Sequence, residues 1–139
     1  MTNINACGTK LYRGGTAGTA IAQVDNITGP GLKVNTLDVT SHDSTGGWQE
    51  FIGGLKDGGD VKLDINYDPA GATHKAAAGG LLTDLTAGTA LAYALKFPDA
   101  ATTTWTFSAI VTSFEPKAPA NNKLTASVTL KVTGVVTPA

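Results

Sequence analysis

From Asp60 to Tyr67 apolar and polar residues alternate: Val61, Leu63, Ile65 and Tyr67 fall on one side, Lys62, Asp64 and Asn66 on the other. Successive side chains of a strand point to opposite faces, so this period of two predicts a strand with one buried and one wet face. From Ala90 to Phe97 the larger Leu91, Tyr93, Leu95 and Phe97 alternate with Ala90, Ala92, Ala94 and Lys96, and Pro98-Asp99 supplies a turn. From Thr103 to Glu115, Trp105, Phe107, Ala109 and Val111 alternate with Thr104, Thr106, Ser108 and Ile110, and Pro116 and Pro119 are expected to end the run. The last run is the most regular, with Leu124, Ala126, Val128, Leu130 and Val132 set against Thr125, Ser127, Thr129, Lys131 and Thr133. Earlier candidate strands are Thr9 to Arg13, Ala20 to Thr28 and Lys33 to Thr40, the second and third separated by Gly29-Pro30-Gly31.

One segment has a different period. Between Gly71 and Thr86, Ala77, Ala78, Leu81, Leu82 and Leu85 are spaced as on one face of a helix, which predicts a helix over 71–86. Gly79 and Gly80 each weaken it by roughly 1 kcal/mol relative to alanine, so it must be held by packing on the sheet. Gly88 is the expected stop. The fold class is therefore mainly β, α+β in detail. The echo between Thr16–Ala20 and Thr86–Ala90 is explained by a turn leading into a strand, without duplication.

A chain of 139 residues is expected to form one domain over its whole length, 1–139, with 42% hydrophobic and 15% charged residues. Its surface should be nearly neutral and rich in Thr, Ser and Asn. The formal net charge is −1 and no two of the ten Lys and Arg residues are adjacent, which argues against a phosphate-binding face. Cys7 is the only cysteine, so no intrachain disulfide can form, and it is expected to be a half-buried thiol. No basic, apolar leader and no run of about 18 apolar residues is present, so the product is expected in the cytoplasm when made, with no membrane partner.

The stretch from Ser41 to Asp60, SHDSTGGWQEFIGGLKDGGD, holds the candidate chemistry. Ser41, His42 and Asp43 are the residue types of a hydrolase triad, but triad members converge from distant positions, and there is no Gly-x-Ser-x-Gly elbow. Turn chemistry is the better account, because Thr40, Ser41, Asp43 and Ser44 can all hydrogen-bond nearby backbone. Asp57-Gly58-Gly59-Asp60 lacks the spacing and final glutamate of a calcium loop and reads as a tight turn. Two histidines and one cysteine form no zinc pattern, and no phosphate-binding glycine motif is present. No catalytic, cofactor or metal residue is therefore assigned, and no cofactor is expected.

What remains is a long connection, residues 41–59, in a chain whose loops should be short. It carries Trp48, Phe51, Ile52 and Leu55, flanked by Asp43 and Asp57. Large apolar groups argue against disorder. They either fold back on their own sheet as a lid or dock on another subunit, aromatics among adaptable polar residues being typical of interface centres. These six residues are the candidates for self-association.

Five pieces, in this order and spacing, resemble the major tail tube proteins of long, non-contractile-tailed bacteriophages, the lambda-like tail tube family. They are Gly8-Thr9-Lys10-Leu11-Tyr12-Arg13-Gly14, Ile27-Thr28-Gly29-Pro30-Gly31-Leu32-Lys33, Leu37-Asp38-Val39-Thr40-Ser41-His42-Asp43, Gly53-Gly54-Leu55-Lys56-Asp57-Gly58-Gly59 and Leu130-Lys131-Val132-Thr133-Gly134. The resemblance spans nearly the whole chain. It implies an antiparallel β-sandwich or half-barrel with one flanking helix, assembled as hexameric rings stacked into a tube for genome delivery, without catalysis. It also implies that the 41–59 loop reaches a neighbouring subunit or ring. The N-terminal arm 1–7, the irregular loop 116–122 and the C-terminal tail 135–139 are the expected further contacts. The partners it implies are other copies of the chain, the tape measure, tail terminator and tail-tip proteins, and DNA in transient, non-specific passage. The location it implies is the virion tail, with the host cytoplasm during assembly. An immunoglobulin-like domain beyond Ala139, and with it external decoration, is not expected.

The physics agrees with such an assembly. A tube needs one head-to-tail contact that closes into a ring and another that propagates, and it pairs strand edges that would be a hazard in a monomer. A near-neutral wall lets a polyanion slide. The alternatives are a monomeric β-sandwich binding module, with Trp48 and Trp105 as platforms for carbohydrate, and a hydrolase built around His42.

Overall fold

The computed structural model describes residues 3–138. The alternating runs form strands β1 (Lys10–Arg13), β2 (Thr19–Ala20), β3 (Val24–Thr28), β4 (Lys33–Asp38), β5 (Phe51–Asp57), β6 (Asp60–Asn66), β7 (Leu91–Lys96), β8 (Thr104–Lys117) and β9 (Thr125–Thr137). Seven of them form one antiparallel sheet in the order β2-β1-β7-β8-β9-β6-β3, and β4 and β5 form a separate two-stranded ribbon. The large sheet curls into a half-barrel with a single helix, α1 (Leu81–Ala87), against it.

The period-two pattern sets which face is buried. Val61, Leu63 and Ile65 of β6 and Ala126, Val128, Leu130 and Val132 of β9 are all at most 5% exposed, and the residues between them face water. The register places Val61 opposite Leu130 and Leu63 opposite Val128, so the two apolar rows join. Tyr93 and Phe107, from β7 and β8, stack at 6.2 Å in the same core. Burying a side chain of this size contributes about 1.5–3 kcal/mol, so these rows supply most of the driving force for the sheet.

The helix is shorter than the predicted 71–86, because residues 71–80 form successive turns and α1 begins at Leu81. Gly79 has φ +93°, and a Cβ on Gly80 would overlap the Lys75 carbonyl, so the chain at this point makes a close turn that a helix cannot contain. Gly88 ends α1 in a left-handed conformation, as expected.

The turns before α1 are tied down by His74, which is fully buried. Its Nε2 lies 2.7 Å from the Ala22 carbonyl and its Nδ1 accepts from the Asp68 N–H at 3.3 Å, which requires the proton on Nε2. A further polar anchor joins α1 to the sheet: Arg13 donates from Nε and Nη2 to the two Asp84 oxygens, each at 2.6 Å. The Tyr93 hydroxyl donates to the same carboxylate at 3.2 Å.

Two further expectations change. Pro116 does not end its strand: β8 runs on to Lys117, with Pro116 opposite Ala126, so the irregular connection is shorter than 116–122. Because β7 pairs only with Thr104–Ala109, β8 has a strand on one side alone at Pro116, and such edge positions are where proline is tolerated in a sheet. Likewise most of the expected tail 135–139 belongs to β9, which pairs Thr137 with Thr106 after a register shift, and residue 139 lies outside the described residues.

Candidate assembly surface

The expected loop 41–59 is in large part a hairpin. Residues 51–57 are strand β5, paired antiparallel with β4 so that Leu37 lies opposite Ile52 and Asp38 opposite Phe51. Gly53 and Gly54 interrupt the side-chain alternation, so the segment has no strand period, yet its backbone still pairs with β4. Past the paired residues the Val39 N–H still donates to the Glu50 carbonyl at 2.9 Å, and the tip beyond it carries a short 3-10 turn at Thr45–Gly47.

The tip is shaped by turn hydrogen bonds. The Asp43 N–H donates to Ser41 Oγ at 3.2 Å, and the Ser41 N–H to Ser44 Oγ at 3.0 Å, so Ser41, His42 and Asp43 form a turn. Ser44 Oγ in turn donates to a Glu50 carboxylate oxygen at 3.1 Å, and the Glu50 N–H donates to Thr40 Oγ1 at 2.8 Å, closing the neck of the tip. Thr40, by its side chain and then its backbone N–H, holds Asp38 below the usual carboxylate range.

The base of the ribbon is equally defined. Asp57 accepts from the Gly59 N–H at 2.9 Å, which together with the positive charge of Lys131 keeps its carboxyl low. Lys131 bridges Asp57 at 3.9 Å and Asp60 at 3.6 Å across the exposed face. Gly59 has φ +69° and a Cβ there would lie 2.5 Å from the Gly31 carbonyl oxygen, so only glycine lets the ribbon leave the sheet at this angle.

The apolar residues of the hairpin are not covered by their own protomer. Trp48 is 77% exposed, Leu55 81%, Phe51 54% and Ile52 52%. The lid reading is thereby corrected, since a lid would bury these groups against the sheet. The structure brings Phe51, Ile52, Leu55 and Asp57 onto one strand, with Trp48 just before it, and leaves Asp43 apart in the tip turn.

Leu32, Val34, Leu37 and Val39 on the other arm are also exposed, and sequence reading missed them as part of the same surface. The paired hydrophobic run on β4 was the available signal. By contrast Trp105 is partly buried and packs edge-to-face on Phe97 at 5.8 Å, so it is no open platform beside Trp48. Cys7 is exposed rather than half-buried, because it lies in the turn that precedes β1.

The buried polar anchor carries a pH signature. Burial first, and then the negative charge of Asp84, push the Tyr93 hydroxyl well above its ordinary value of 10.0. As pH rises the unfolded chain loses this proton before the folded one, so the stabilisation is complete below pH 10 and declines above it. A thermal-melt series from about pH 8 to about pH 11 should show that decline, and Tyr93→Phe should flatten it. An unchanged slope in Tyr93→Phe would assign the alkaline loss to other groups.

A curled antiparallel half-barrel with one docked helix and an exposed apolar hairpin defines a mainly β-protein whose large apolar side chains are not all covered by its own core. Residues 15–139 match the family model for the lambda phage tail tube protein, TTP, and the chain belongs to that family. It is a structural virion protein of the tail tube, the conduit for genome delivery.

Solved structures share the fold at low identity. In the virion of a native gene transfer agent particle a chain superposes with TM-score 0.78 at 16% identity over 99% of both chains. In the tail of an empty particle of that kind, refined with C6 symmetry, the TM-score is 0.77 at 17% identity over 99% of each. The SPP1 tail tube gives 0.67 at 13% identity, covering 99% of this chain and 80% of that one. No match is found among curated protein sequences.

Proposed function

We propose that this chain assembles into hexameric rings that stack into the tail tube, with the β4–β5 hairpin as the element that reaches a neighbouring subunit. The observation that carries this reading is the row of exposed apolar residues on a hydrogen-bonded, well-formed ribbon. Covering Trp48, Phe51, Ile52 and Leu55 would contribute about 1.5–3 kcal/mol each, more than a monomer would leave unused. The six-fold symmetry named for the gene transfer agent tail supports the ring number.

Residues 3–7 and the connection after β8 serve as further contacts between rings, with residues 1 and 2 of the expected arm outside the described residues. Assembly takes place in the host cytoplasm, with tape measure, terminator and tail-tip proteins as the partners that limit and cap the tube. Scattered lysines and a net charge of −1 suit passage of DNA without capture.

Negative-stain microscopy of concentrated purified protein should show hollow tubes or six-membered rings. A chain that stays monomeric at millimolar concentration would overturn the proposal.

A further inference from the structure

The turn that joins β8 to β9 is well formed but uncovered. Every residue from Glu115 to Leu124 is exposed, and the Asn122 N–H donates to the Pro119 carbonyl at 3.4 Å. Ala118-Pro119-Ala120 gives the turn small apolar groups only, and a lysine stands at each foot, Lys117 at the end of β8 and Lys123 just before β9. Neither lysine has an ion-pair partner among the described residues. Among those residues this is the one connection between strands with a lysine and no acid.

A recess of opposite charge lies elsewhere on the chain. A cavity of about 780 Å³ opens between β3 and the end of β7, with the segment before β1 on its third side. Its floor, with Val24, Ile27, Leu95 and Phe97, packs on the protomer's own core, so what it offers a partner is its rim. The rim carries Asp25 on the β3 side and Asp99 on the β7 side, and no Lys or Arg lines it among the described residues. Asp25 is the extra residue of a β-bulge, because Val24 pairs with Ile65 and Asn26 with Asp64, and a bulge re-aims the side chain it leaves unpaired. The Thr103 hydroxyl at 2.5 Å and the Thr103 N–H at 2.6 Å hold the Asp99 carboxyl below the usual range.

We propose that the β8–β9 turn of one copy of the chain seats on this cavity in a second copy, its two lysines meeting Asp25 and Asp99. The inference rests on the self-assembly reading above and names what the connection after β8 touches. A head-to-tail contact joins two different patches of one chain, and these two match in sign and form. One is a narrow turn with a cation at each foot, the other a recess with an anion on each side. The hairpin tip also carries acids, Asp43 and Glu50, but Glu50 already accepts from Ser44 at 3.1 Å, and Asp43 alone does not match two lysines. Ion pairs of this exposed kind are screened by salt, so assembly should weaken as ionic strength rises.

A carbodiimide couples a lysine amine to a carboxylate only where the two are in contact, which tests the pairing in the parent sequence. Assemblies grown from a mixture of isotope-labelled and unlabelled chains are treated with it and digested. The expected product is a peptide pair that joins Lys117 or Lys123 of one isotopic form to Asp25 or Asp99 of the other. Coupling of these lysines to Asp43 or Glu50 instead, or no mixed-isotope product from them, overturns the cavity as receiver and leaves the self-assembly reading intact. Failure of that reading is seen separately, as a parent chain that forms neither rings nor tubes.

A second measurement reads the same contact through its charge. Lys117→Glu together with Lys123→Glu sets like charges against the rim, so the concentration needed for assembly at low salt should rise at least about tenfold. Asp25→Lys alone should also weaken assembly, but added to the double variant it should recover most of the loss. All three positions are exposed, so the thermal midpoint of the protomer should stay that of the parent. Light scattering against concentration measures the first quantity and a melt the second. Reversed lysines that assemble as the parent does, or a loss that Asp25→Lys does not repair, overturn the proposal.

Discussion

Asp84→Ala is expected to lower stability by about 3–5 kcal/mol and the thermal midpoint by roughly 10–20 °C. Asp84 is 3% exposed and accepts two 2.6 Å hydrogen bonds from Arg13 and a third, at 3.2 Å, from Tyr93. Removing it leaves a guanidinium facing the underside of α1 with no counter-charge and a buried hydroxyl with no acceptor. Arg13 is still 26% exposed and can recover some hydration, which places the expected loss toward the lower end of the range. Tyr93→Phe, which removes only a donor, should cost about 1 kcal/mol. Urea or thermal denaturation of the two variants measures both. An Asp84→Ala midpoint within a few degrees of the parent would mean that the ion pair contributes no net stability.

The double substitution Trp48→Ala, Phe51→Ala should have the opposite profile, with the monomer melting as the parent does and assembly lost. Both side chains are more than half exposed in the protomer, so truncation should change its stability by no more than about 0.5 kcal/mol. At a subunit contact a buried aromatic anchor is worth about 2 kcal/mol or more, so each loss raises the concentration needed for assembly by about 30-fold. The two are near neighbours and their effects need not add, but together they should prevent tubes at any practical concentration. Light scattering against concentration, paired with a thermal melt, separates the two quantities. A collapsed midpoint with normal assembly would mean that these aromatics support the protomer and not its contacts.

Legibility of the fold varies with the range of the forces involved. The strands β6 and β9 are readable because one face is buried and the other wet, and that condition imprints a period of two on Val61, Leu63 and Ile65 and on Ala126 through Val132. The strand β5 is not readable, because Gly53 and Gly54 carry no side chain to alternate and neither arm of the ribbon has a core face in the protomer. Its candidate residues are nevertheless identified by their chemistry, since large apolar groups beside glycine and charge stand out in any conformation. The helix expected over 71–86 is too long because Ala77 and Ala78 fit the helical spacing, while the close approach of Gly80 to the Lys75 carbonyl is a feature of the turn alone.

By itself the sequence determined which side of each long strand is apolar, where α1 stops at Gly88, the family resemblance and the loop in which assembly chemistry had to lie. Only the tertiary structure decided that Arg13 meets Asp84 across 71 residues, and that His74 is buried beneath the β2–β3 connection, 52 residues from its partner Ala22. Tertiary structure also decided that the hairpin stands away from the sheet and that β3 and β7 face each other across a cavity. The reason is physical: side-chain periodicity records the local partition between water and core, whereas pairings of this kind depend on strand order in the curled sheet, which no local window contains.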